Sequence, residues 1–193
     1  LCRARNAAVA RAAADYVVMV DGDMLLDAAF LADHARHACR GRWVQGCRLP
    51  LTPDATRRVI EGRAPGPRRA DTDRRHRAQA WRAPWLGGLL GRAANGWMAI
   101  KGCNQAFWRD DLVAVNGWDK SLRGWGPEDK ELAARLANAG IARRSLPFGA
   151  LAWHLHHPPA DRSQAATGHE LLERTRRDRR IRCTRGLDAH LAG

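Results

Sequence analysis

Two adjacent carboxylates, Glu128 and Asp129, follow a loop whose composition excludes a regular helix or strand. The loop, residues 116–127, contains three glycines, a proline and two tryptophans. Directly after the carboxylates the pattern becomes helical, with Leu132 and Leu136 four residues apart. Glu128 and Asp129 are therefore predicted in the first turn of a helix. Free backbone N–H groups and the helix dipole favour the ionised carboxylate at that position.

A charged carboxylate beside an aromatic ring suits chemistry on a sugar. Trp125 in the loop offers a flat surface on which a sugar ring can stack, and a carboxylate can take a proton from a sugar hydroxyl. The alternative interpretation is an ordinary acidic helix N-terminus after a tight loop, because acidic first turns are common.

A second acidic group follows a predicted strand. Residues 15–20 are rich in β-branched residues, which is typical of a strand covered on both faces in a parallel sheet, and they lead into Asp21, Gly22 and Asp23. Ligands of open α/β sheets bind at the carboxyl ends of strands. Two carboxylates flanking a glycine suit a hard divalent cation that bridges to phosphates. The alternative is a turn that caps the next predicted helix, residues 27–39.

Three histidines follow another predicted strand, residues 148–153. In an extended segment, His154 and His156 lie on one face and His157 on the other. One of these imidazoles is a candidate to complete a metal site with Asp23, and the choice between His154 and His156 stays open. A zinc hydrolase is not indicated, because the chain has no HExxH motif.

The remaining pattern alternates between helices and strands and predicts an α/β domain. Further helices are expected at 7–14 and 169–181, and further strands at 43–49, 97–101 and 142–146. Residues 102–109 are predicted as a loop in which small and amide residues let the backbone approach a ligand, followed by a helical turn at 110–112. Trp81 and Trp85 are four residues apart, a spacing that favours packing in the core.

Charge sets the chain apart from an average globular protein. The 193 residues carry a formal net charge of +13, nearly all of it from arginine. Such charge implies an anionic partner, whether nucleic acid, an anionic membrane surface or a phosphorylated substrate, although a GC-rich genome also enriches arginine. Residues 57–77 are rich in arginine, proline and glycine, and are predicted as a mobile insertion or lid or, alternatively, a solvated surface loop.

The cysteines and the apolar segments indicate the compartment. Five cysteines without a CxxC pair favour a reducing environment, and the sequence has neither a signal peptide pattern nor an apolar run of membrane-spanning length. The chain begins at Leu1 and is expected to be the C-terminal part of a longer protein. A basic tail, residues 161–193, is predicted to contain a helix that either adheres to anionic lipid or is simply solvated.

Several of these segments resemble a known family. Residues 21–23 resemble the DxD motif of the GT-A glycosyltransferases. Residues 102–107, 116–119 and 124–129 resemble the galactosyltransferase C-terminal module of family 2 bacterial glycosyltransferases, chondroitin-polymerase-like enzymes and β-1,4-galactosyltransferases. The resemblance implies a GT-A, Rossmann-like α/β fold with a mixed, mostly parallel sheet and flanking helices. It implies a catalytic domain at residues 1–160 and a basic helical tail at 161–193.

The resemblance also implies a role for each matching residue. Asp23 and His154 correspond to ligands of Mn²⁺ or Mg²⁺, and Asp129 corresponds to the catalytic base of the inverting members. The positions that correspond to contacts with the donor or acceptor are Arg5, Asn6, Asp21, Gly102, Asn104, Trp125 and Glu128. Two features depart from the family: the N-terminal βαβ unit that holds the nucleotide base is absent, and Pro127 stands where glycine is commoner.

The implied activity is transfer of a hexose or N-acetylhexosamine, with inversion, from a nucleotide-diphosphate donor to a glycan or glycolipid. A UDP-sugar is the favoured donor. The tail resembles a bacterial subgroup that builds surface polysaccharide or lipopolysaccharide, which implies a cytoplasmic enzyme at the inner membrane. Two alternatives stay open, a non-catalytic remnant of the fold and a basic nucleic-acid-binding module. The second is disfavoured because the tryptophans cluster with glycine and acidic residues rather than with arginine.

Overall fold

Strands form two mixed sheets in the computed structural model, which describes residues 1–64, 66–86, 100–122, 126–159 and 165–191. The strands are β1 (Tyr16–Val20), β2 (Met24–Leu26), β3 (Arg42–Gln45), β4 (Arg48–Pro50), β5 (Asn104–Trp108), β6 (Ala142–Ser145) and β7 (Ala152–His154). The first sheet has the order β1-β5-β3-β6 and the second the order β2-β7-β4.

Helices cover these sheets. They are α1 (Cys2–Arg11), α2 (Phe30–His37), α3 (Pro53–Ile60), α4 (Arg109–Ala114), α5 (Glu128–Asn138) and α6 (Ala165–Arg177). The prediction of an α/β fold with a mixed sheet is confirmed, but the expectation of mostly parallel pairing is wrong, because three of the five strand pairings in the described residues are antiparallel. Helix α5 has the bounds expected from its leucine spacing. The helix predicted at 7–14 begins earlier, at Cys2, and the one predicted at 27–39 is shorter at both ends.

The direction of β1 differs from the prediction. Its apolar run was expected in a parallel sheet, but β1 pairs antiparallel with β5, with Val20 opposite Asn104. An apolar run reports burial and carries no information on the direction of the neighbouring strand. The antiparallel pairing places Asp21 beside the start of β5, where its backbone N–H donates to the carbonyl of Cys103 at 3.4 Å.

The strand predicted at 43–49 is broken at Gly46, and its halves belong to different sheets. A Cβ at Gly46 would lie 2.5 Å from the side chain of Asn104 and 2.7 Å from the carbonyl oxygen of Ala150. Only glycine fits this crossing point between the sheets.

Residues 102–109 were predicted as a loop and instead contain β5, so that prediction is wrong for most of the segment. The strand predicted at 97–101 falls largely outside the described residues, and Ile100 and Lys101 are not in a strand. The sequence of residues 102–109 predicts a loop because glycine and amide residues are uncommon in strands. Long-range pairing with both β1 and β3 overrides that preference.

The arginine-rich segment, residues 57–77, is ordered against the second sheet where it is described. Helix α3 begins after Thr52, whose hydroxyl accepts a hydrogen bond from the Ala55 N–H at 3.3 Å. Thr72 is fully buried and its hydroxyl donates to the carbonyl of Pro50 at 2.6 Å. The alternative of a solvated surface segment agrees with the exposed arginines at 57, 63, 68, 69, 74 and 75, although the β-bridge between Leu51 and Thr72 attaches the segment to the domain.

The core is built around other tryptophans than the two predicted. Trp81 and Trp85 are 61% and 71% exposed, whereas Trp43 and Trp118 are buried against Phe107. The guanidinium of Arg69 lies 4.4 Å from the Trp81 ring. The expected separation of tryptophan from arginine is therefore wrong, because cation–π contact pairs them on the surface.

The basic tail packs on the domain through α6. Leu172 is buried, and the Thr175 hydroxyl donates to Glu131 of α5 at 3.0 Å. The side-chain amide of Asn138 donates to the Thr175 carbonyl at 3.2 Å. Among the residues that the structure describes, none of the helices has both the length and the apolar character that a bilayer crossing requires.

Candidate functional site

The pairing of β2 with β7 assembles a cluster of possible metal ligands. Met24 lies opposite His154 in the register, and the Leu155 N–H donates to the carbonyl of Asp23 at 2.9 Å. The Asp23 carboxylate oxygen Oδ2 lies 3.2 Å from His154 Nε2 and 3.1 Å from His157 Nε2. Two imidazoles thus converge on the second aspartate of the DxD sequence.

This arrangement fits a divalent cation. One ligand atom from each of Asp23, His154 and His157 lies within 4.8 Å of the others. The second carboxylate oxygen of Asp23 is buried without a hydrogen-bond partner, so it is free to bind an ion. Imidazole together with carboxylate suits Mn²⁺ better than Mg²⁺, which prefers oxygen ligands throughout.

The choice of histidines differs from the expectation based on strand alternation. His154 was expected to share a face with His156, yet His157 reaches Asp23 while the backbone N–H of His156 donates to the Thr56 hydroxyl at 2.8 Å. The alternation fails because β7 ends at His154, and the residues beyond it are not held in strand geometry.

Arg48 contacts this cluster through the His154 ring. One of its guanidinium nitrogens lies 3.4 Å from His154 Nδ1. Burial, followed by the positive charge of Arg48, lowers the pKa of His154 and favours the neutral imidazole. A neutral ring is the form that binds a metal.

Asp129 lies in a separate, closely packed part of the site at the start of α5. Its Oδ1 accepts hydrogen bonds from Arg5 at 2.6 Å and from the Trp118 ring N–H at 3.3 Å. The carboxylate also lies against the backbone of Gly102, where a Cβ would come within 1.9 Å of Oδ2. Glycine is therefore required at position 102, because any side chain there would overlap the Asp129 carboxylate.

Burial changes the protonation expected for the two carboxylates. The pKa of Glu128 is raised to about 7, first by burial and then by the charge of Asp129. Burial also raises the pKa of Asp129, against the opposing effects of Arg5 and Trp118. Loss of hydration on burial thus opposes the effect of the helix N-terminus, which favours the ionised form of both groups.

Arg5 connects the two aspartates of the site. Besides Asp129, its guanidinium donates to Asp21 Oδ1 at 2.9 Å. The side chain is 6% exposed, and the two ion pairs raise the pKa of Arg5 in spite of its burial. Arg5 was expected near a nucleotide, and the structure places it as a bridge between Asp21 and Asp129.

Two other predicted ligand contacts have partners within the protein. The Asn6 side chain forms paired hydrogen bonds with the backbone of Trp118, at 2.8 and 2.9 Å. Asn104 is within 2.8 Å of His34 Nε2 and also donates to the carbonyl of Ala150 at 2.8 Å. Both asparagines are almost fully buried. Trp125 lies outside the described residues.

Sequence reasoning missed three contributors to this site. Arg48 and Trp118 gave no local signal, because their relevance depends on contacts across the fold. His157 was visible in the run of histidines, but the assumption of an extended backbone assigned it to the wrong face.

Comparison with known proteins gives one family match. Residues 92–158 match the family model described as the N-terminal domain of galactosyltransferase, which is about a third of the chain. The matched segment contains Gly102, Glu128, Asp129, His154 and His157. Arg5, Asp21 and Asp23 lie before it.

Among solved structures, the chain is similar to a mannosyltransferase from Pyrobaculum calidifontis, solved in complex with GDP-Man and Mn²⁺. The two are 20% identical with a TM-score of 0.48, and the alignment covers 80% of this chain and 36% of the other. The chain thus spans about a third of that protein's length.

Proposed function

We propose that this chain belongs to a metal-dependent glycosyltransferase that moves a hexose or N-acetylhexosamine from a nucleotide-diphosphate donor, with inversion. The observation that carries the proposal is that two sets of groups meet at the short segment between β1 and β2. Asp23, His154 and His157 form a metal-ligand cluster, and two residues earlier Asp21 is tied through Arg5 to Asp129. The galactosyltransferase family match over residues 92–158 supports the same conclusion.

The proposed reaction needs a Lewis acid at the leaving group. A Mn²⁺ ion bound by Asp23, His154 and His157 would neutralise the charge that develops on the diphosphate. The unpaired Asp23 Oδ1 and the neutral His154 ring are suited to this role. Asp23 and His154 were expected as ligands from the sequence, and His157 is added from its distance to Asp23.

Asp129 is proposed as the base that accepts the proton of the acceptor hydroxyl. Burial raises its pKa towards the working pH, which strengthens it as a base relative to an exposed aspartate. Arg5 and Trp118 hold Oδ1 in place, which leaves Oδ2 as the oxygen available to the hydroxyl. Attack from the face opposite the leaving group inverts the anomeric carbon.

The substrates are proposed from chemistry and resemblance together. A UDP-sugar is the preferred donor and a glycan or glycolipid hydroxyl is the preferred acceptor, with Glu128 and Trp125 as the contacts to sugar. Synthesis of bacterial surface polysaccharide or lipopolysaccharide at the cytoplasmic face of the inner membrane completes the proposal. Support for the membrane contact comes from the exposed arginines of the tail, namely Arg174, Arg176, Arg177, Arg179 and Arg180.

Calorimetric titration of UDP and GDP, with and without Mn²⁺, tests the proposal. We expect binding that requires Mn²⁺ and disappears in Asp23→Ala. Asp15→Ala is the matched control, since Asp15 is exposed just before β1 and should leave binding unchanged. Metal-independent binding that survives Asp23→Ala would overturn the metal assignment. Absence of binding by either nucleotide would overturn the enzyme proposal for this chain and favour a non-catalytic remnant.

A second titration, of Mn²⁺ alone, tests the choice of histidines. His157→Ala should weaken Mn²⁺ binding about tenfold or more, by analogy with the effect of disturbing metal-site residues. His156→Ala should leave it unchanged, since the His156 contact to Thr56 uses only its backbone N–H. Equal effects of the two substitutions would remove His157 from the proposed cluster.

Nucleic-acid binding is the second candidate function, favoured by the exposed Trp81 with Arg69 over its ring. An arginine and an aromatic ring on one surface can bind single-stranded nucleic acid by stacking and charge. Titration with a single-stranded oligonucleotide at two salt concentrations separates the candidates. Tight binding that falls steeply with salt and is lost in Trp81→Ala would favour this function.

A further inference from the structure

A cavity of about 170 Å³ lies beside the proposed site and shares Arg48 with it. It is enclosed by the ends of β3 and β6, the start of β4 and the segment that precedes β5. Its polar lining includes Gln45, Arg48, His76, Gln79, Lys101 and Ser145. Lys101 and Cys103 line the cavity on either side of Gly102, the residue in contact with Asp129.

The cavity carries positive charge without a matching carboxylate. Lys101 and Arg48 both line it, and among its described lining residues there is no aspartate or glutamate. Lys101 is exposed, and partial loss of hydration, followed by the charge of Arg48, lowers the pKa of its ammonium group. The thiols of Cys47 and Cys103 do not neutralise this charge, because burial raises their pKa values to about 12 and about 11.

Polar atoms without partners point to the same conclusion. Arg48 Nε and His76 Nδ1 are both buried and lack a hydrogen-bond partner. Buried donors are nearly always satisfied in folded proteins, so such atoms in a charged cavity indicate a polar ligand. A guanidinium and an ammonium together are suited to the oxygens of a phosphate or a carboxylate.

We propose that this cavity binds an oxyanion, a phosphate or carboxylate group, at a place separate from the Asp23–His154–His157 cluster. Lys101 supplies a point charge, and Arg48 and His76 supply directed hydrogen bonds. The anion would lie against Lys101 and Cys103, the sequence neighbours of Gly102. This inference rests on the proposed function only for the origin of the anion, which is either the donor diphosphate or an acidic group of the acceptor.

Binding of inorganic phosphate to the full chain, followed by calorimetry or by broadening of the ³¹P signal, tests the site directly. Lys101→Gln should weaken phosphate binding about tenfold or more, the effect of losing a charge-assisted hydrogen bond. Lys120→Gln is the matched control, because Lys120 lies outside the cavity lining and removes the same charge. Equal phosphate binding in the two variants and the original chain would overturn the proposal.

A second variant covers the case in which Lys101→Gln does not fold. His76→Ala changes a partly exposed side chain in a short 3₁₀ turn and should weaken phosphate binding at least threefold while the circular dichroism spectrum stays unchanged. Undiminished phosphate binding by a folded His76→Ala variant would contradict the assigned lining.

The source of the anion is found by adding UDP and Mn²⁺. If phosphate and UDP compete, and Lys101→Gln weakens both, the cavity holds the donor diphosphate. If phosphate binds equally well to the UDP-saturated protein, the cavity holds an acidic group of the acceptor. Phosphate binding that depends on Lys101 in a chain unable to bind UDP would support the cavity and overturn the proposed function.

Discussion

The candidate site has a metal end around Asp23 and a base end around Asp129, and the negative charge of the aspartate is balanced differently at each end. At the metal end, Asp23 is 34% exposed and contacts two imidazoles, one of which is 49% exposed, while the cation Arg48 contacts His154 rather than Asp23. At the base end, Asp129 is 15% exposed and already has a cation, the buried guanidinium of Arg5. Within the part of the chain that the structure describes, Asp23 has no guanidinium or ammonium partner, so an added cation would balance its charge, whereas Asp129 has one built into the fold.

This difference predicts how each end responds to change. The metal end is formed by the short pairing of β2 with β7 and has open space around Gly22. The base end brings together α1, the loop at Trp118, the backbone of Gly102 and the first turn of α5. Substitutions at the base end should affect stability and rate together, whereas those at the metal end should mainly affect metal and donor binding.

The largest expected effect is that of Asp129→Asn on the rate of sugar transfer. Loss of the proposed base should lower turnover by about 10²–10⁴-fold, the usual contribution of general base catalysis. Mn²⁺-dependent UDP binding should stay unchanged, because Asp129 does not contact the metal cluster. Steady-state transfer and calorimetry measure the two effects, with the exposed Asp110→Asn as a control. Near-normal turnover in Asp129→Asn would move the base to another residue.

Arg5→Met tests whether the base end depends on its built-in cation. The substitution leaves Asp21 and Asp129 without their shared partner, and breaking a buried ion pair costs about 3–5 kcal/mol. Partial exposure of Asp21 places the expected loss of unfolding free energy near the lower limit, about 3 kcal/mol. Urea denaturation measures the change.

Arg3→Met is the matched control for Arg5→Met. Arg3 belongs to the same helix, is exposed, and should change the free energy of unfolding by less than about 0.5 kcal/mol. Similar losses in the two variants would mean that the helix α1, rather than the ion-pair bridge, is sensitive to substitution.

Local patterns in the sequence predicted much of the fold but few of the contacts in the site. The bounds of α5 followed from leucine spacing and a glycine stop, because both signals lie within a few residues. The antiparallel direction of β1 and the break at Gly46 depend on pairing with residues far along the chain. Local hydrophobic periodicity contains no information on such pairing.

The lack of information on long-range contacts also explains which features of the site were not predicted. Asp23 and His154 were predicted as a pair and lie together, but the ion pair between Arg5 and Asp129 joins residues 124 positions apart. The raised pKa of Glu128 depends on burial by the whole fold, which opposes the local preference of a helix N-terminus for charge. Residue types therefore predict which groups can react, and packing decides their protonation.

Glu128→Gln tests the burial of charge at the base end through pH. Burial raises the pKa of Glu128 from its ordinary value of 4.5 to about 7, so the folded chain holds this proton up to about pH 7. Between these values the unfolded chain binds fewer protons, so the contribution of Glu128 to stability falls as pH rises. Glu128→Gln should remove this loss and stabilise the protein at pH 8 by at most about 3 kcal/mol.

Thermal or urea unfolding at pH 5 and pH 8 measures this effect. The difference in stability between Glu128→Gln and the original chain should be small at pH 5 and should grow by pH 8. The exposed Glu170→Gln on α6 is the control and should show no such growth. A difference that does not change with pH would mean that Glu128 is hydrated in the folded chain.

The smallest expected effect comes from placing one methyl group at each end of the site. Gly102→Ala forces a Cβ into the Asp129 carboxylate and should cost about 1–3 kcal/mol of unfolding free energy, as overpacking does. Gly22→Ala meets no atom within 4 Å, and its lower unfolded-state entropy should leave stability unchanged or raised by up to about 1 kcal/mol. Because the Gly102→Ala methyl group displaces the proposed base, it should lower turnover more than UDP binding. Equal tolerance of alanine at both positions, measured by urea unfolding, would show that the base end is no more tightly packed than the metal end.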